Sequence, residues 1–145
     1  MKILSAEQIR LWDQYTIRHE PIASIDLMER AATKCVEWLE RNFFSGSIRL
    51  PDSVSGEYSV FCGKGNNGGD GLAIARMLVQ KKYSVTVYIL ESGHKGTEDF
   101  QTNLALLHQY PQADIRFIQA EDNFHELQKN EIIIDAMFGT GLNRG

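Results

Sequence analysis

An open α/β sandwich with a mostly parallel sheet, entered through two N-terminal helices, is the fold that the sequence predicts. Three observations carry that expectation. From Tyr58 onward, short apolar or β-branched runs alternate with stretches of helical periodicity, the pattern of successive βαβ units joined by right-handed crossovers. The third such strand alternates in polarity while the fourth is nearly continuous in apolar residues, as expected of an edge strand and of one covered on both faces. The two most glycine-dense loops, 63–71 and 138–145, follow the first and fourth strands. Together these give a Rossmann-like, three-layer αβα arrangement with strand order 3-2-1-4, whose ligand crevice opens between strands one and four.

The elements follow in order. Ser5-Ala-Glu-Gln8 has the capping-box pattern, and Ile9, Trp12 and Thr16 then recur at helical spacing. Pro21 interrupts. Ser24 is placed to cap a second helix with an apolar stripe of Met28, Ala31, Ala32, Cys35 and Leu39, and with Trp38 in the core. Residues 45–57, rich in Ser, Gly and Pro, read as a linker. The spacing then predicts strands over 58–62, 84–90, 114–118 and 131–138, and helices over 72–82, 97–109 and 122–129. A fourth strand this apolar would leave an aggregation-prone edge if the sheet stopped there. The sequence therefore reads as truncated after that strand, with residues 1–145 the N-terminal portion of a single larger domain.

Composition narrows the function. The 145 residues carry a net charge of −4, with 43% hydrophobic and 23% charged residues, as in ordinary globular domains. Basic residues are scattered, so a nucleic-acid partner is not expected. No run approaches the roughly 18 apolar residues of a membrane span, and no secretory leader is visible. Cys35 and Cys62 fall in apolar segments without CxxC spacing and read as buried reduced thiols of a cytoplasmic protein. His19, His94, His108 and His125 are too dispersed for a zinc site.

The chemistry concentrates in the two loops. Gly63, Gly65 and Gly68 spell G-x-G-x-x-G between a strand and a helix, and Glu91 ends the second strand, where dinucleotide-binding domains carry an acid. Asp70, read as standing at the helix mouth, would repel a pyrophosphate there, so it is expected to cap the helix or accept hydrogen bonds from ligand hydroxyls. Asp135 interrupts Ile132-Ile133-Ile134 and Ala136-Met137-Phe138. A carboxylate inside an apolar strand is costly unless paired, hydrogen-bonded or bound to a cation.

Gly63-Lys-Gly-Asn-Asn-Gly-Gly-Asp-Gly-Leu-Ala-Ile-Ala-Arg76, then Asp135-Ala-Met-Phe-Gly-Thr-Gly141, closely resembles the YjeF N-terminal-domain family, the NAD(P)H-hydrate epimerases. Ser24-Ile-Asp-Leu-Met-Glu-Arg-Ala31 resembles that family's second-helix signature. The resemblance implies interconversion of the R and S forms of hydrated NADH or NADPH, so that a stereospecific dehydratase can repair both. It implies that Asn66, Asn67, Gly68, Gly69 and Asp70 hold the substrate together with Gly139, Thr140, Gly141, Leu142, Asn143, Arg144 and Gly145. It also implies a potassium ion (K+) on Asn67 and Asp135, with Asp135 orienting or protonating the reacting oxygen. A homodimer and a fused C-terminal dehydratase domain are both compatible with it. Two other readings stay open at this point: a fragment of an NAD-dependent dehydrogenase, and a non-enzymatic scaffold of the same fold family.

Overall fold

The computed structural model describes residues 3–44, 56–120, 127 and 131–139. Helix α1, Ala6–His19, starts as a capping box: the Ser5 hydroxyl accepts from the Gln8 N–H at 3.2 Å, and the Ser5 N–H donates to the Gln8 side chain at 2.8 Å. None of its residues is buried, and Trp12 is 63% exposed.

Helix α2, Ser24–Leu39, departs from expectation in two ways. Its N-cap is Ala23, without a side-chain cap; the Ser24 hydroxyl instead donates to Asp99 at 2.6 Å. Its buried stripe is Met28, Ala32, Val36 and Leu39, while Ala31 and Cys35 are exposed and Trp38 is 53% exposed. Both stripes satisfy helical spacing, but Val36 offers the core a larger apolar group than Cys35 does. A π-helical turn, Glu40–Phe44, closes the helix.

Among the described residues the sheet has four strands, β1 (Glu57–Cys62), β2 (Ser84–Leu90), β3 (Asp114–Ile118) and β4 (Ile132–Ala136), in the order β3-β2-β1-β4. All neighbours pair in parallel, with Val60 opposite both Val87 and Ile134. This is the order that strand composition predicted. β1 is an interior strand, and every residue from Tyr58 to Cys62 is buried. β4 differs from expectation. It is half-exposed, with Ile133 at 54%, because its outer side has no neighbouring strand among the described residues.

Helix α3, Asn66–Gln80, packs on β1, β2 and β4 and is flanked by α2 and by α4, Glu98–Leu107. Its second half buries Leu72, Leu78 and Val79 in the main core with Val60, Val87, Ile89 and Phe100. Thr97 caps α4, accepting from the Phe100 N–H at 3.3 Å. On the opposite face of the sheet, Phe61 stacks on Tyr88 at 4.7 Å and joins Ile118 in a smaller cluster. The helix expected over 122–129 lies outside the described residues apart from the exposed Leu127, and so does the linker expected over 45–57 as far as residue 55; Glu57 already belongs to β1.

Candidate functional site

Helix α3 begins at Asn66, not at Leu72. Asn-Asn-Gly-Gly is a poor helix former, yet tertiary packing overrides propensity here because only glycine fits. A Cβ on Gly63 would sit 2.1 Å from the Met137 carbonyl oxygen, and one on Gly68 would sit 1.7 Å from that of Gly63. A Cβ on Gly71 would meet the Ala136 Cβ at 2.6 Å and the Cys62 Sγ at 2.8 Å. These glycines let the start of α3 press onto the ends of β1 and β4. Gly65 differs: its φ of −90° suits any residue, and a Cβ there would meet nothing within 4 Å. Its backbone faces open space at the helix mouth, and the first turn carries no acidic residue. The first N–H groups of a helix lack intrahelical acceptors and carry partial positive charge.

The early start of α3 corrects the expected position of Asp70 and its expected part in the helix cap. Asp70 lies in the second turn, neither capping the helix nor occupying its mouth. Its carboxyl is pushed up to about 6, first by burial and then by the charges of Asp13 and Asp99. Asp70 stands one turn inside the helix and takes no part in its cap. Burial and then Asp70 also raise the Cys35 thiol, and burial pushes Cys62 up to about 12. Cys62 is buried as expected; Cys35 is not.

The two loops meet. Asn67 Nδ2 donates to the Phe138 carbonyl at 3.0 Å, and a Cβ on Gly139 would lie 2.9 Å from the Asn67 Cβ. That bond uses the amide nitrogen of Asn67 and leaves its oxygen for another group. Asp135, beside Phe61 in the register, is exposed; its Oδ1 accepts from the Met137 N–H at 3.0 Å. One carboxylate oxygen is thus satisfied locally, in place of the fully covered acid that the apolar run suggested. Thr140, Gly141, Leu142, Asn143, Arg144 and Gly145 lie outside the described residues. A cavity of about 580 Å³ runs between α2, the start of α3 and β4, lined by Cys35, Trp38, Asn67, Asp70, Ile133 and Asp135 among others. Asn67, Asp70 and Asp135 are thus brought to one cavity at the β1–β4 switch point.

Sequence reasoning missed the pairing of Lys64 with Glu91. The Lys64 ammonium forms an ion pair with Glu91 and donates to the His94 carbonyl at 2.8 Å. A hydrogen bond from Lys64 holds the Glu91 carboxyl below the usual carboxylate range. A lysine as the second residue of the glycine loop, in line with an acid ending the next strand, was the available signal.

Asn67 and Asp135 supply one amide and one carboxylate oxygen, a donor chemistry that fits a hard cation of low charge. Among the described residues no group of three His, Cys, Asp or Glu side chains forms a metal cluster, and no helix is long and apolar enough to cross a membrane.

The chain is similar to curated proteins named NAD(P)H-hydrate epimerase. That of Limosilactobacillus reuteri (strain DSM 20016) is 37% identical over 143 residues, covering 99% of this chain and 61% of the relative. That of Oenococcus oeni is 36% identical, covering 97% and 60%. A protein of Moorella thermoacetica named bifunctional NAD(P)H-hydrate repair enzyme Nnr is 32% identical, covering 98% of this chain and 26% of its own length. The chain thus spans about 60% of the length of the epimerases it matches. A crystal structure of the yeast protein ynu0 (YNL200c) shares the fold, with a TM-score of 0.77 at 23% identity, covering 100% of this chain and 60% of that one. Residues 24–145 match the family described as YjeF-related protein N-terminus, and the chain belongs to that family.

Proposed function

We propose that residues 1–145 are the N-terminal portion of one NAD(P)H-hydrate epimerase domain, which interconverts the R and S forms of hydrated NADH and NADPH in the cytoplasm. The observation that carries this reading is the Asn67–Phe138 hydrogen bond. It joins the glycine-rich start of α3 to the loop after β4, as a single dinucleotide site requires. The names of the relatives support the substrate class. A stereospecific dehydratase, fused or separate, would consume the product. A homodimer is compatible with this arrangement.

The reaction needs modest machinery. The ring-nitrogen lone pair of the hydrated nicotinamide expels the neighbouring hydroxyl, a planar iminium results, and water returns to either face. The protein holds the ring and moves one proton in each direction. Asp135 is the candidate group for that oxygen, through the carboxylate oxygen not bonded to Met137. Asn66, Asn67, Gly68, Gly69 and Asp70, with residues 139–145, would hold the dinucleotide. Asn67 and Asp135 would hold a potassium ion, which when bound offsets negative charge beside the reacting oxygen. Chiral chromatography of aged NADH, with and without the longer parent protein, tests the reading. Faster equilibration of the two hydrates supports it, and an unchanged rate refutes it. Residues 1–145, which span about 60% of the length of the epimerases they match, are expected to be nearly inactive alone.

A further inference from the structure

Dinucleotide-binding α/β domains that select NAD place a free carboxylate at the end of the second strand, where it accepts from the adenosine ribose hydroxyls and repels a 2′-phosphate. Glu91 stands at that position but is not free. In the β1–β2 register Cys62 lies opposite Ile89, so continuing both chains brings Lys64 alongside Glu91, and the two pair. Lys64 is gripped from several sides. Its ammonium also donates to the His94 carbonyl at 2.8 Å, its own carbonyl accepts from the Thr97 N–H at 3.0 Å, and Gly96, at φ +89°, lies so close that a Cβ would stand 2.6 Å from that carbonyl. The Lys64 side chain is only 9% exposed and that of Glu91 26%. Such an enclosed pair holds its geometry in a way that open surface pairs do not.

We infer that the Lys64–Glu91 pair is a specificity-determining device: it cancels the one charge that would read the adenosine 2′ position, so NADH and NADPH hydrates are accepted alike. The inference rests on the proposal that the glycine loop holds the dinucleotide. Lys95 and His94 flank the pair in the same exposed loop, so no second acid of that loop restores the discrimination. Removing Lys64 leaves Glu91 a lone carboxylate facing a 2′-phosphate, and like charges so placed are strongly disfavoured.

NAD+ and NADP+, which differ only at the 2′ position, are the probes. Both are titrated calorimetrically into the longer parent protein as wild type, Lys64→Met, Glu91→Gln and the double variant, and kcat/KM is measured for both hydrates. The wild type is expected to take the two within about threefold of each other, and Lys64→Met to favour the form without the phosphate by about tenfold or more. Glu91→Gln, with Lys64 now unmatched, is expected to shift the ratio towards NADP+, and the double variant to return it to near one. Should Lys64→Met fail to fold, the direction of the Glu91→Gln shift decides. Equal weakening of both nucleotides in the single variants overturns the inference and leaves the epimerase reading standing. A wild type that binds neither nucleotide and equilibrates neither hydrate removes both.

Discussion

The Asn67 side chain donates to the Phe138 carbonyl across 3.0 Å, and the bond spans the switch point between β1 and β4. It is the physical link between the first turn of α3, which presents backbone N–H groups, and the loop that follows Asp135. Because the bond is exposed, Asn67→Ala is expected to cost only about 0.5–1.5 kcal/mol of stability. Loss of substrate affinity is expected to exceed that, since the variant removes both the tie and the free amide oxygen. Denaturant melts beside substrate titration check the two effects separately.

The glycines divide into two kinds. Gly63, Gly68 and Gly71 are held against backbone or packed side chains, whereas Gly65 has open space above it. Gly71→Ala overpacks the contact with Ala136 and Cys62 and is expected to cost about 1–3 kcal/mol. Gly65→Ala is expected to cost about 1 kcal/mol or less, the difference between these residues at an N-cap. If a dinucleotide approaches the helix mouth, Gly65→Ala weakens its binding in a protein that still melts near the wild-type temperature. Unchanged binding in that variant would place the ligand elsewhere.

Much of this was legible in the sequence. Strand order followed from the contrast between Asp114–Ile118 and Ile132–Ala136, and β2 and β3 have the ends that periodicity assigned. The start of α3 was not legible, because Asn66–Gly69 is helical only through glycine contacts with Gly63 and Met28 that no local pattern encodes. That miss misplaced Asp70. On α2, periodicity places the stripe only to within a residue and does not separate the buried Val36 from the exposed Cys35. Lys64 escaped because its partner depends on the β1–β2 register.

Asp70 gives a pH signature. Burial, then Asp13 and Asp99, raise its carboxyl from 3.8 to about 6 in the folded protein. The folded state therefore binds a proton more tightly than the unfolded chain does. The stabilisation is full below about pH 4 and is lost as pH rises through about 6. Its ceiling is about 3 kcal/mol, lowered by the water that reaches this half-buried group. Asp70→Asn is thus expected to raise the melting temperature at pH 7.5 and to change it little at pH 4. The same variant is expected to weaken dinucleotide binding about ten- to a hundredfold if Asp70 accepts from substrate hydroxyls. Tighter binding would show that it only repels.

Potassium is expected to raise the melting temperature of the longer parent protein in proportion to the logarithm of its concentration, as a ligand of the folded state does. Asp135→Asn should flatten that dependence. Equal melting temperatures in potassium and in tetramethylammonium would argue against the ion.

Oxygen exchange is the decisive measurement for the proposed epimerisation, because loss and return of the hydroxyl must trade that oxygen with solvent. Single epimers of NADH hydrate are incubated in oxygen-18 water with the longer parent protein, and each epimer is separated and weighed by mass spectrometry. One labelled oxygen is expected for every inversion, with inversion and labelling slowed together by about 10²–10⁴-fold in Asp135→Asn. Inversion without label, or an Asp135→Asn variant as fast as wild type, would contradict it.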